Sequence, residues 1–142
     1  MVGLSAGPPL PGEWVEGHVT RTGPWSVGDL WIDWNNKRYA LLIQEHHCNA
    51  TGFMHGGAMT TFLDGQAFVL EAIDTREAHT PTVSLSVDFL ARPAPGDWLV
   101  AEVELVKKTR TLIFTEAKAK VGDRVMARSN ATYRNYEGKD FP

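Results

Sequence analysis

Gly56 and Gly57 open an apolar segment, and eight positions into it stands a carboxylate, Asp64. At a helix start a glycine pair presents backbone N–H groups at the positive end of the dipole, and without a Cβ it lets an oxygen approach them closely. That arrangement binds an oxyanion, such as a carbonyl oxygen gaining charge under nucleophilic attack. The same pair also suits a plain tight turn into the helix. Asp64 is the complementary group. A carboxylate in an apolar helix costs several kcal/mol unless it is paired or protonated. Burial raises its pKa toward the range of a general base, unless hydrogen bonds to the charged form cancel the effect. An Asp held by backbone donors or by a neighbouring Lys or Arg, with no chemistry to do, is the alternative.

The spacing adds a constraint. Eight positions on a continuous helix, at ~1.5 Å per residue, separate Gly56 from Asp64 by about 12 Å. Both cannot touch one carbonyl within one subunit. If they serve one reaction, the helix start of one chain must meet Asp64 of another, and a two-fold dimer would hold two equivalent sites.

Other constellations are weaker. Cys48 stands beside His47, but adjacent side chains on an extended chain point to opposite sides, which disfavours a thiol–imidazole pair. His46, His47 and His55 lack a metal-binding His-Glu-x-x-His or paired-Cys spacing, so no metal site and no cofactor is expected. The sequence has no Gly-x-Ser-x-Gly elbow, phosphate-binding P-loop or dinucleotide fingerprint, which sets aside those enzyme classes. Lys107, Lys108 and Arg110 fit a solvated turn or a phosphate contact.

The elements that must carry these residues are legible as alternating and punctuated runs. Residues 30–44 read as a hairpin around Asn35-Asn36-Lys37, and 45–52 as a loop. Residues 56 to about 74 are apolar on nearly every side, the pattern of a long buried helix with Asp64 midway along it. Segments 83–89, 98–106, 111–120 and 124–133 read as strands, with Val83, Leu85, Val87 and Phe89 alternating toward a core. One helix and a run of antiparallel strands make an α+β domain with the sheet curled around the helix. Residues 1–12, rich in Gly and Pro, read as a mobile tail or a strap over the surface.

The 142 residues suit a single domain spanning 1–142, and 43% apolar with 22% charged residues suits a globular core. A net charge of −3 without a long basic run lacks the footprint of a nucleic-acid binder. One cysteine, no signal-peptide pattern and no bilayer-length apolar run lead to the expectation of a cytoplasmic protein with no membrane partner.

Asn49-x-x-Gly52-x-x-His55-Gly56-Gly57, Asp64, and Thr82-Val-Ser-Leu-Ser-Val-Asp-Phe89-Leu leading to Pro95-Gly96-Asp97 resemble the hotdog-fold acyl-CoA thioesterases, particularly the phenylacetate-pathway (PaaI-type) branch. The resemblance covers about residues 38–135. It implies a helix wrapped by a curved antiparallel sheet, homodimers and often dimers of dimers. It also implies that the Gly56 amide polarises a thioester carbonyl, while Asp64 of the partner subunit acts as base on water or as nucleophile. Asn49 would orient water or the carbonyl, and Thr82 would assist the carboxylate. His55 and Gly57 would shape the substrate approach at the helix start. Coenzyme A, as part of the substrate, would find Arg92, Lys108 or Arg110 available for its phosphates. Two other readings stay open: an acyl-CoA-binding module without turnover, and an acyl-thioester hydratase or dehydratase.

Overall fold

The hairpin expected around Asn35-Asn36-Lys37 is present, as strands β2 (Leu30–Asp33) and β3 (Arg38–Leu42). Lys37 takes the left-handed conformation, at φ 54°, that a tight reversal demands. The computed structural model describes residues 7–17, 26–70 and 80–135. A three-residue strand, β1 (Val15–Gly17), precedes the hairpin; it is too short for an alternation signal. A 3₁₀ turn over Glu45–His47 leads to helix α1 (Gly56–Leu63), and a second 3₁₀ turn follows over Gln66–Val69. Four long strands complete the chain: β4 (Thr82–Phe89), β5 (Trp98–Lys108), β6 (Leu112–Val121) and β7 (Arg124–Arg134). All seven pair antiparallel in the order β1-β2-β3-β5-β6-β7-β4. No helix among the described residues is long and apolar enough to cross a membrane.

The sheet wraps α1, and small residues make that possible. One row across the sheet runs Tyr39, Ala101, Ala119, Ala127, Phe89 on successive strands. Its three alanines, with Ala117 and Ala131, are buried and leave room for Met59, Phe62 and Leu63 of the helix. Each large apolar side chain so buried contributes about 1.5–3 kcal/mol. The outer face is polar, with Lys120 paired to Glu102 and Arg128 to Asp88, each at 2.8 Å.

Two expectations need correction. The helix does not run on past Asp64: it stops at Leu63, Asp64 is its C-terminal cap at φ −73° and ψ −5°, and a 3₁₀ turn replaces the next helical turn. Apolar composition looks the same in both conformations. The stop comes from distant donors, since Tyr39 OH takes the Phe62 carbonyl at 2.6 Å and Tyr133 OH takes that of Asp64 at 2.8 Å. Residues 71–74 of the expected helix lie outside the described residues. The second correction concerns β4, where the register slips between Thr82 and Ser84. The bulge takes Val83 off the alternation and leaves it 57% exposed, and Phe89, opposite Ala127 at the edge, is exposed rather than in the core, while Leu85 and Val87 keep their places against it.

Residues 7–12 form a strap. The Pro11 carbonyl accepts from Arg38, whose guanidinium also lies 4.6 Å from the Trp14 ring and 2.8 Å from buried Asp33. Burial would raise the Asp33 pKa, but hydrogen bonds from Asn36 and Arg38 outweigh it and hold the carboxyl below its usual value. Arg38→Ala is therefore expected to cost about 3 kcal/mol, because it strands a buried carboxylate, and to lower the melting temperature. Asp33 is depressed in the folded state, so its stabilisation is present at neutral pH and is lost as pH falls through its folded pKa. Thermal melts from pH 7 downward should show the wild type converging on the variant.

Candidate active site

The start of α1 is built by hydrogen bonds that converge on His55. Its N–H donates to the His47 carbonyl at 2.8 Å, and His47 itself is clamped. The buried His47 ring accepts the Gln44 N–H at Nδ1 (3.0 Å) and donates from Nε2 to the Val27 carbonyl. Burial pulls its pKa down, which keeps it neutral. His55 then caps the helix, with extended backbone at φ −66° and ψ 138° and Nδ1 accepting the Gly57 N–H at 2.8 Å. A single glycine amide is thus consumed by the cap, and the Gly56 N–H is the one left for a ligand. A Cβ on Gly56 would sit 3.5 Å from the Phe89 ring, at ordinary contact distance.

The loop before the cap holds Asn49. Its side-chain oxygen accepts both the N–H and the hydroxyl of Thr51, and its backbone carbonyl accepts the Gly52 N–H at 3.0 Å. Gly52 has φ +84°, which explains a glycine at that place in the motif. Arg92 lies nearby, 4.4 Å from the Phe53 ring centroid, and the Pro93 carbonyl accepts the Met54 N–H at 2.8 Å. Asn49, Gly52, His55, Gly56, Gly57 and Arg92 therefore gather at one end of α1.

Asp64 stands at the other end. Its Oδ1 accepts the Thr82 hydroxyl at 2.7 Å, and the β4 bulge makes this possible by turning Thr82 to the helix side, opposite Tyr133. Burial raises the Asp64 pKa, and the Thr82 and Tyr133 hydroxyls pull against that rise without cancelling it. No ion pair among the described residues involves it. A half-buried carboxylate with hydroxyl partners and a raised pKa is competent as a base or nucleophile.

Helix α1 runs antiparallel to β4, with Gly56 against Phe89 and Asp64 against Thr82. Within one chain the two halves of the candidate machinery thus lie at opposite ends of the edge strand. The cations divide in the same way. Lys108 shares a row with Ile113, Tyr133 and Thr82, which places it at the Asp64 end, three strand spacings or about 14 Å from Thr82. Arg110 follows it in the β5–β6 turn, whereas Arg92 belongs to the Gly56 end. Cys48 is no activated thiol, since burial and then Glu45 raise its pKa. Among the described residues no group of three or more His, Cys, Asp and Glu could hold a metal ion.

Sequence reasoning did not single out Tyr133, Tyr39 or Gln66. Their only signal was a place in apolar runs, where a hydroxyl or amide must find a partner.

Two variants test this geometry. A Cβ at position 57 would lie 2.9 Å from His55 Nδ1, so Gly57→Ala should displace the cap and lose about 1 kcal/mol in denaturant unfolding. The folded pKa of Asp64 lies above its unfolded value, so its contribution is present at low pH and lost as pH rises through the folded pKa. Asp64→Asn, which cannot ionise, should melt higher than wild type at pH 8 and match it below the ordinary carboxylate range.

The chain resembles known proteins both in sequence and in fold. Residues 51–128 match the model of the Thioesterase superfamily. A Pseudomonas aeruginosa protein named "Putative esterase PA0474" is 33% identical over 97 residues, covering 66% of this chain and 71% of that protein. Human acyl-coenzyme A thioesterase 13 is 27% identical over 75 residues, covering 53% of this chain and 54% of its own length, so the chain spans about half of that relative. Among solved structures, a Streptococcus pneumoniae thioesterase protein with coenzyme A superposes with a TM-score of 0.64 at 18% identity, over 72% of this chain and 80% of the other. The Escherichia coli PaaI protein superposes at 0.61 with 14% identity, over 68% and 73%. The helix wrapped by a curved antiparallel sheet is the hotdog fold, and the chain belongs to the thioesterase superfamily.

Proposed function

We propose that the protein hydrolyses acyl-CoA thioesters, aryl or fatty acyl, to free acid and coenzyme A at a site shared between two subunits. The observation that carries this reading is the Asp64–Thr82 pair, a half-buried carboxylate with raised pKa at one end of β4, set against the uncommitted Gly56 amide at the other. Antiparallel addition of a second β4 to the open edge of the first would reverse the strand end for end. Asp64 and Thr82 of one subunit would then face the Gly56 end of the other, in two equivalent copies. Val83, Phe89 and Leu90 are 57%, 55% and 57% exposed along this edge, apolar surface that such a pairing would cover.

The chemistry follows from the placement. As the thioester carbonyl is attacked, its oxygen gains charge that the Gly56 N–H stabilises, with the α1 dipole behind it. Asp64 of the partner subunit either takes the proton of an attacking water or adds to the carbonyl itself, and Thr82 fixes the carboxylate. With water as nucleophile, collapse of the tetrahedral species breaks the C–S bond and gives the free acid, and the leaving thiolate takes back the proton held by Asp64. With Asp64 as nucleophile, collapse leaves an acyl–Asp64 anhydride, which water hydrolyses to the free acid and the Asp64 carboxylic acid, whose proton goes to the thiolate. Asn49, near the Gly56 end, would orient water or carbonyl if its amide faces the bound substrate. Arg92 from one subunit, with Lys108 and Arg110 from the other, would meet the phosphates. No cofactor takes part in these steps. His55 supports the helix cap through Nδ1, which speaks against its acting as the base of a hydratase.

Free-thiol release over a panel of aryl, short-chain and long-chain acyl-CoAs tests the proposal. Asp64→Ala should abolish release. Gly56→Pro removes the amide proton and puts a ring carbon in its place, while the backbone accepts it, since proline is tolerated at the first helical position and the extended His55 is already the conformation proline requires before it. It should lower kcat by roughly 10²–10³. Release undiminished in Asp64→Ala would refute the proposal, and acyl-CoA binding with no release from any substrate would identify a binding module instead.

A further inference from the structure

Helix α1 ends with Phe62 and Leu63 buried, so its last carbonyls need donors from the protein. Three consecutive ones are met by side chains: Phe62 by Tyr39 OH at 2.6 Å, Leu63 by Gln66 Nε2 at 2.9 Å, and Asp64 by Tyr133 OH at 2.8 Å. Gln66 is itself locked, donating to Ser129 Oγ at 2.9 Å and accepting from Thr115 Oγ1 at 2.8 Å. Tyr133 differs from the other two donors, because the residue it holds is the one whose carboxylate is proposed to react. It also sits directly opposite Thr82 across the β4–β7 ladder.

We propose that Tyr133 is the positioning residue of Asp64: one rung of the sheet grips it twice, Tyr133 at the main-chain carbonyl and Thr82 at the carboxylate, and fixes the torsions between them. This rests on the reading of Asp64 as the base or nucleophile. The groups facing Asp64 are Thr82 from β4, Tyr133 from β7 and, by charge interaction, Tyr39 from β3. Burial, with the charge of Asp64 next, drives the Tyr133 phenol far above its usual pKa, so it remains a donor throughout the working range. Its one hydroxyl proton goes to the Asp64 main-chain carbonyl, so it acts on the carboxylate by holding it beside Thr82, whose hydroxyl favours the ionised form. Loss of the Tyr133 hydroxyl should let the carboxylate wander from Thr82 and raise the Asp64 midpoint.

The test compares Tyr133→Phe with Tyr39→Phe, each deleting one buried hydroxyl from the same helix end while its ring stays in the core. The Asp64 carboxyl is titrated directly by carbon NMR, and kcat and KM are measured with whichever acyl-CoA is turned over. Tyr133→Phe should move the Asp64 midpoint to higher pH and lower kcat by on the order of tenfold, with KM within about twofold of wild type. Tyr39→Phe should lose comparable thermal stability yet keep the wild-type midpoint. An unmoved midpoint in Tyr133→Phe, or an equal shift in Tyr39→Phe, would overturn the inference. The titration needs no turnover, so it decides this point even if Asp64→Ala hydrolyses acyl-CoA as wild type does, the result that would remove the functional reading alone.

Discussion

The constraint on which the rest depends is the satisfaction of the carbonyls at the end of α1. A helix that stops in an apolar interior needs donors for those groups, and here Tyr39, Gln66 and Tyr133 supply them from the sheet and from the turn that follows. Because the helix stops there, Asp64 falls at its cap instead of inside another turn, and its carboxylate can reach Thr82 on the edge strand. The alanine row beneath α1 serves the same end by letting the helix lie close enough for side chains of the sheet to reach its backbone.

At the opposite end of the helix the chain solves a different problem. The first amides of a helix also lack partners, and His55 satisfies one of them while leaving the Gly56 N–H open. A short helix therefore carries a carboxylate at its C-terminal end and an open amide at its N-terminal end. That separation keeps the two out of one site within one chain. It becomes useful if two copies meet antiparallel along β4, which is the assembly the proposed function requires.

Much of this was legible in the sequence, and for physical reasons. The long strands declare themselves by alternation and by Gly, Pro and Asp at the turns, so β4 to β7 fall within a few residues of expectation. Gly56 and Asp64 stand out because glycine pairs and isolated carboxylates are costly without purpose, whereas Asn49 and His55 are singled out by the resemblance of their motif. The length of α1 was not legible, since its termination depends on Tyr39 and Tyr133, 23 and 69 residues from the carbonyls they cap. Nor was the bulge at Val83, a slip of register decided by β7 that turns Thr82 toward Asp64. The local role of Asn49 in organising residues 49–53 is likewise a matter of loop geometry that residue type alone does not reveal.

The central claim is that one reaction uses Gly56 of one subunit and Asp64 of another. Its most direct test is complementation between two inactive subunits, Gly56→Pro and Asp64→Ala, combined by co-expression with distinct tags and purified as the mixed dimer. One of its two sites would then be whole and the other doubly defective, so acyl-CoA hydrolysis should return to about half of the wild-type rate per dimer, as two-fold symmetry dictates. A mixed dimer as inactive as either parent would contradict the shared site.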